Sequence, residues 1–376
     1  MNIGIDIRPL MSPIRTGVAE YTFELLKALF ELDQTNQYYL YYNSYTKVSP
    51  CLPDFKNAKV EVIQTKIPNK LLNASLLCFN RPRLDKLIPH PLDIWFSPNI
   101  HFTALSKNIR QILTIHDLSF EFFPEFFTSK QKLVSAKGAV KRANVILTPS
   151  FNTKRDIINF YKTNPEKIKV IYPGLSSKIK PTTPEQKTIV KNKFNLPEKF
   201  LLFIGAYEPR KNLLGLLQSF EKVYASETLP IHLVIAGAPG WKNEKVFDYI
   251  KNSPVKEKIH CLGYVTETEK TVLYELAEIF VYPSHYEGFG FPVLEAMALG
   301  TPVITSNRSS LPEITGSSAS LINPLDPSDL TESIRTLLNT KELRDWQQKK
   351  GLELAQQFSW KRSAENFLAT LQTLAK

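Results

Sequence analysis

Short runs rich in β-branched and aromatic residues alternate along the chain with longer stretches whose apolar residues recur every three to four positions. "NIGIDIR" (2–8), "YYLYYN" (38–43), "KVEVIQ" (59–64), "LDIWFSP" (92–98), "RQILTIHD" (110–117), "NVILTPS" (144–150) and "IKVIYPG" (168–174) predict strands. Helices fall between several of them, most clearly over 18–32, where Tyr21, Leu25, Leu26, Leu29 and Phe30 share a face. A polar segment with prolines near both ends, 182–200, reads as a connection between domains. The alternation then begins again with "FLLFIGA" (200–206), "IHLVIAGAP" (231–239), "KIHCLGYV" (258–265), "EIFVYPS" (278–284), "TPVITS" (301–306) and "ASLINP" (319–324). Strands alternating with helices predict parallel sheets. Two runs predict two doubly wound α/β domains, 1–180 and 181–357.

Ligands of such sheets bind beyond the carboxyl ends of the strands. "YPSHYEGFGFPVLEAM" has the order strand, loop, helix there. Glu287 follows the strand, Gly288 and Gly290 let backbone approach a ligand closely, Pro292 suits a first helical turn, and Glu295 lies about one turn in. The amino end of a helix favours an anion such as phosphate. Two carboxylates beside it are then odd partners unless they accept from hydroxyls, and a vicinal diol offers one carboxylate two donors. Phosphate, ribose and hexose together describe a nucleotide sugar. Either glutamate by itself has a plainer reading, as a dipole-complementing helix residue or a solvated loop residue.

"FIGAYEPRKNL" (203–213) supplies cations. Gly205 ends a strand, and Arg210 with Lys211 is placed at the opening of the next helix, where the pair can hold a diphosphate and stabilise it as a leaving group. There is no D-x-D carboxylate pair to clamp a divalent metal, and the two cations are the expected replacement. In the first domain Gly17 stands at a helix entry, where its amide can face a phosphate or an acceptor. His116 ends a strand, where it either packs or hydrogen-bonds a sugar hydroxyl.

Other chemistries find no support: G-x-S-x-G, the Walker pattern and a G-x-G-x-x-G after the first strand are absent. Three scattered cysteines, Cys51, Cys78 and Cys261, fit a reduced, cytoplasmic protein. Met1 leads straight into a strand pattern, which predicts no secretory leader. The net charge of +11 is uneven: residues 1–175 hold 23 Lys and Arg against 14 Asp and Glu. That surplus, with "NRPRLDK" (80–86), Lys130, Lys132, Lys137, Lys141 and Arg142, suits an anionic membrane surface better than nucleic acid, for which no binding module is visible.

Taken together, "FIGAYEPRKNL", "LVIAGAPGWK", the stretch from "CLGYVTETEK" to "NRSSLPEI", and "FSWKRSAENFL" resemble retaining glycosyltransferases of family 4. The similarity is strongest to bacterial mannosyltransferase-like members that build polysaccharides, and "TGVAEYT", "IHDLSFEFFPE" and "LTPSFNTKRDI" add weaker support. The resemblance implies the GT-B fold: two Rossmann-like domains facing a cleft, with a C-terminal helix, about 358–376, joining the first. It implies that Glu287 contacts the donor hexose and Glu295 the ribose diol. The amides of Gly288, Phe289, Gly290 and Phe291 would face sugar and diphosphate, and Gly205, Arg210 and Lys211 the diphosphate. Gly263, Tyr264 and Val265 would border the base, and His116 would sit near the transferred sugar. Many members have arginine directly after the glycine ending the first strand of the second domain, whereas Ala206 stands here. The implied activity is hexose transfer, best mannose from GDP-mannose, to a lipid-linked or growing glycan, with no cofactor beyond the nucleotide sugar. A soluble acceptor with UDP-glucose as donor, and a nucleotide-sugar epimerase of related fold, are the alternatives.

Overall fold

The computed structural model describes residues 1–11, 16–46, 48–56, 58–126, 136–226, 231–238, 240 and 243–375. The chain forms two compact units. Unit 1 comprises the described parts of Met1–Leu118, Ser129–Gly174 and Ser359–Lys376, and unit 2 those of Ser119–Thr128 and Leu175–Phe358. Of the basic residues named above, Lys130 and Lys132 lie outside the described residues.

Unit 1 is built on β1 (Asn2–Asp6), β2 (Gln37–Asn43), β3 (Lys59–Thr65), β4 (Ile94–Ser97), β5 (Arg110–Thr114), β6 (Val145–Thr148) and β7 (Ile168–Val170). They form one sheet in the order β3-β2-β1-β4-β5-β6-β7, every pair parallel. Because helices cover both faces, the central strands are buried at almost every position, so their sequences read as continuous apolar runs. The edge strand β3 alternates exposed and half-buried residues instead.

The helix Gly17–Leu32 begins at Thr16, whose hydroxyl accepts from the Ala19 amide at 3.3 Å. Against it packs the last helix of the chain, Trp360–Ala375, with Trp360 edge-on to Tyr21 at 5.6 Å. The fully buried Phe367 meets Phe96 of β4 at 4.7 Å. The close approach of this helix explains Gly174, where a Cβ would stand 2.1 Å from the Trp360 amide nitrogen.

Unit 2 contains β8 (Phe200–Ile204), β9 (His232–Ala236), β10 (Ile259–Gly263), β11 (Ile279–Tyr282), β12 (Val303–Ser306) and β13 (Ser320–Ile322), also all parallel, in the order β10-β9-β8-β11-β12-β13. Both doubly wound sheets expected from the sequence are therefore present. In unit 2 the direction of winding reverses between β8 and β11, so the loops leaving these two strands diverge and open a crevice between them.

The sequence reads the segment 182–200 as a connection between domains. Most of it is the helix Pro184–Phe194, started by a reciprocal capping box between Thr183 and Gln186 and ended by Asn195 in a left-handed conformation. It buries only Val190, so it carries almost no apolar signal, and it is held to the helix Glu267–Leu276 by the pairs Lys193–Glu269 at 2.5 Å and Lys187–Glu275 at 3.4 Å.

Truncating Phe367 leaves a cavity between the last helix and β4. Phe367→Ala is expected to cost about 3–5 kcal/mol, measured as a fall in the urea midpoint. A loss below about 1 kcal/mol would mean that the last helix is not part of the unit 1 core.

Candidate functional site

The loop after β8 enters the crevice first. The Gly205 amide donates to the Ala236 carbonyl at 3.0 Å, and Gly237, with φ of 143°, lies so near that its Cβ would stand 2.0 Å from the Gly205 oxygen. Glycine is required at 237 on both counts. Arg210 and Lys211 do not open the next helix, as the sequence suggested. They lie in a separate 3-10 turn, Pro209–Lys211, because Asn212 takes a left-handed conformation (φ 56°) and the helix starts only at Leu213. The turn brings the two cations side by side.

The loop after β11 supplies what they pair with. Arg210 Nη1 lies 2.8 Å from Glu287 Oε2 and donates to the Tyr286 carbonyl at 2.7 Å, while Lys211 Nζ lies 2.6 Å from Glu287 Oε1. Lys211 also donates to the hydroxyl of Tyr282, the last residue of β11. Burial alone would raise the Glu287 carboxyl, but the charges of Arg210 and Lys211 more than offset it and hold the group down at about 2. Burial and the neighbouring Arg210 push the Lys211 ammonium below its ordinary value.

The glycine-rich loop is pinned from beneath. The Glu287 amide donates to Ser309 Oγ at 2.9 Å, and Ser310 Oγ lies 2.9 and 2.7 Å from the carbonyls of Glu287 and Phe289. Gly290 caps the helix Phe291–Ala298 with φ of 115°, and its missing Cβ leaves room for Leu311. Phe289 is buried against Phe291 and Phe358, at 5.1 and 5.7 Å, so at this position only backbone can serve a ligand. Gly288 precedes it in the same loop.

Glu295 belongs to a different cluster from Glu287. Its Oε1 lies 2.9 Å from Lys270 Nζ, and its Oε2 accepts from the Tyr274 hydroxyl at 3.0 Å. Lys270 and Tyr274 share one face of the helix Glu267–Leu276, one turn apart. Neither was marked by the sequence, nor were Ser309 and Ser310.

At the end of β10, Gly263 has φ of 71°, its carbonyl accepts from the Gly237 amide at 2.8 Å, and a Cβ there would meet open space. Tyr264 beside it is 65% exposed and Val265 is buried. In unit 1 His116 Nε2 lies 2.8 Å from the Pro98 carbonyl, which can only accept, so Nε2 carries a proton. Its ring stands edge-on to Tyr21 at 4.7 Å, and burial lowers its affinity for a second proton. Gly17 is the exposed first residue of its helix, with nothing within 4 Å of where a Cβ would be. Among the described residues no group of three or more His, Cys, Asp and Glu is arranged to hold a metal ion.

Two family models divide the chain between them: "Glycosyltransferase Family 4" matches residues 15–178 and "Glycosyl transferases group 1" matches 184–353. The chain belongs to the GT-B glycosyltransferases. It is 29% identical to O-antigen chain mannosyltransferase B of Escherichia coli over 96% of each chain. It is 29% identical to O-antigen chain mannosyltransferase RfbU of Salmonella typhimurium over 63% of each. The Anabaena protein HepE, solved in complex with UDP and glucose, shares the fold with a TM-score of 0.76 at 16% identity, covering 99% of this chain and 100% of that one. This glycosyltransferase thus has mannosyltransferase relatives in O-antigen synthesis, as its motifs suggested.

Because the Glu287 carboxyl lies at about 2 in the folded glycosyltransferase against an ordinary 4.5, its ionisation favours folding above pH 4.5, and this is lost as pH falls from 4.5 to 2. The contribution is on the order of 3 kcal/mol. Urea unfolding across that window should give a shallower acid limb for Glu287→Gln than for the wild type. Superposable limbs would show that Glu287 is not held by the two cations.

Proposed function

We propose that this enzyme moves a hexose, best mannose from GDP-mannose, onto a hydroxyl of a lipid-linked or growing glycan, with retention of anomeric configuration and no divalent metal. The observation that carries the reading is the cluster of Arg210, Lys211 and Glu287 at the point where the sheet reverses direction. Two fixed cations beside the amino end of a helix suit a diphosphate, and they supply the charge that a metal would otherwise provide as the phosphate departs. Lys211 Nζ gives two of its three protons to Tyr282 and Glu287, leaving one for a phosphate oxygen.

In this reading Glu287, kept ionised, accepts from hydroxyls of the hexose, and Glu295 accepts from the ribose diol. Backbone from Gly288 to Phe291 faces the sugar and diphosphate, Gly205 lets the phosphates approach, and Gly263 to Val265 border the base. His116, uncharged at neutral pH with Nε2 committed to Pro98, offers Nδ1 to the transferred sugar, and Gly17 offers its amide on the acceptor side. The bond from the anomeric carbon to the diphosphate oxygen breaks, and the acceptor oxygen bonds that carbon from the same face. The acceptor proton goes to the departing phosphate. HepE, which shares the fold, was solved with UDP and glucose; a second reading keeps the same chemistry with UDP-glucose or another donor and a soluble acceptor.

Thermal denaturation with GDP, UDP, ADP, dTDP and CMP, each with and without magnesium, tests the donor. A nucleotide at 100 times its dissociation constant adds about 2.7 kcal/mol, a shift of several degrees. GDP should give it independently of magnesium and lose it in Arg210→Ala, whereas a shift with UDP alone would favour the second reading. Turnover should fall by two orders of magnitude or so in Glu287→Ala. An inverted product linkage by NMR would end the mechanism, and donor turnover without acceptor would indicate an epimerase.

The partner surface is proposed to be an anionic membrane leaflet, at the inner face of the cytoplasmic membrane. No helix among the described residues is long and apolar enough to span a bilayer. The helix Asn69–Phe79 instead buries only Leu72 and Leu76 and turns Leu71, Leu77 and Phe79 outward, Phe79 being 76% exposed. Lys70 lies on this helix, and Lys66, Arg81 and Lys86 lie close to it in the chain, all exposed. Exposed apolar side chains accompanied by cations suit acidic lipid headgroups. Co-sedimentation with phosphatidylglycerol vesicles should exceed that with phosphatidylcholine vesicles and be lost in the Leu77→Glu, Phe79→Glu double variant. Equal binding to both lipids would remove the proposal.

A further inference from the structure

The Glu295 carboxylate has a support that its motif does not contain. Both oxygens are held from one neighbouring helix, Oε1 by Lys270 at 2.9 Å and Oε2 by the Tyr274 hydroxyl at 3.0 Å. Tyr274 is fully buried and fixed in turn, its ring edge-on to Phe280 at 5.1 Å and its carbonyl accepting from Thr301 Oγ1 at 2.8 Å. Lys270 is fixed from its other side by Glu267 at 3.0 Å. Each carboxylate oxygen has two acceptor positions, and the two supports take one each, so the carboxylate retains a pair of outward lone-pair positions with a set orientation.

We infer that Lys270 and Tyr274 are positioning residues that aim the Glu295 carboxyl at a vicinal diol, making the enzyme selective for a ribonucleotide donor over its 2′-deoxy counterpart. The inference rests on the proposed role of Glu295. The charged and titratable groups acting on Glu295 are Lys270, Tyr274 and Glu267. Burial raises its carboxyl, Glu267 adds to that, and Lys270 with the Tyr274 hydroxyl opposes it. Lys270 itself is held above its ordinary value: burial works against its charge, but Glu295 and Glu267 outweigh that. Lys270 opposes the rise that burial causes, so without it Glu295 would hold its proton more tightly, and a protonated carboxyl has one acceptor fewer for the diol.

The test compares kcat and KM for the nucleotide-sugar donor and its 2′-deoxy analogue in the wild type and in Lys270→Met, Lys270→Arg, Tyr274→Phe and Glu295→Gln. A lost hydrogen bond to a charged group corresponds to about 10–100-fold in kcat/KM, so the wild type should discriminate against the deoxy donor by that factor. Lys270→Met should lose most of the discrimination through KM, with kcat for the deoxy donor little changed. Its KM for the ribo donor should fall as pH rises, over a range that lies above the one in which the wild-type value changes. Lys270→Arg should restore both behaviours, and Tyr274→Phe should lose part of the discrimination with a smaller shift of the pH profile than Lys270→Met gives. If Lys270→Met keeps the wild-type ratio and the wild-type pH profile while Glu295→Gln loses discrimination, the role given to Lys270 is overturned. If Glu295→Gln itself keeps the ratio, the assignment of Glu295 to the diol fails instead.

Discussion

A carboxylate buried at the end of a parallel sheet must be matched by positive charge, and the matching of Glu287 organises the crevice in unit 2. Its two oxygens each meet a different cation, and both cations come from a turn that follows the neighbouring strand in space but lies some eighty residues earlier in the chain. Removing either partner would leave a buried charge uncompensated, a cost of several kcal/mol, so the pairing ties the loops after β8 and β11 to each other. The strain this requires is taken up where the backbone permits it: at Asn212, which ends the turn before the helix begins, and at Gly237, which lets the loop cross beneath Gly205.

The central strands were legible because parallel sheets covered on both faces write continuous apolar runs into the sequence. The strand-end position of Glu287, Arg210 and Lys211 was legible for the same reason, since a doubly wound sheet puts ligand-facing residues just past its strands. What could not be read was which of them meet. That depends on β11 lying beside β8 in a parallel register that sets Phe280 opposite Leu202, and no local pattern records it.

Lys270 and Tyr274 were hidden for a related reason. A lysine and a tyrosine four apart on an amphipathic helix look like one solvated and one core residue, and only the packing of that helix against Phe291–Ala298 brings both to a carboxylate. The polar segment 182–200 shows the opposite failure: its capping box and terminal asparagine were visible signs of a helix, but with one buried residue it lacked the periodicity that would have confirmed them. Ionic contacts with Glu269 and Glu275, rather than apolar burial, secure it.

The two carboxylate clusters differ in charge, and the difference gives the proposed donor a direction. Around Glu287, Arg210 and Lys211 outnumber the carboxylate they bind, and with Glu208 3.6 Å from Arg210 the group is close to neutral before any ligand arrives. A diphosphate can enter there because its charge is shared by cations already desolvated and fixed, with the helix dipole behind them. Around Glu295 a single lysine is shared between Glu295 and Glu267, which leaves an excess of negative charge. Phosphate is disfavoured at that end, whereas hydroxyl donors are favoured. In the proposed function, a nucleotide sugar would be oriented by electrostatics before any base contact is made: diphosphate toward Arg210 and Lys211, ribose toward Glu295. At the phosphate end Ala206 supplies no cation, and the separate turn at Pro209–Lys211 presents Arg210 beside Lys211 instead.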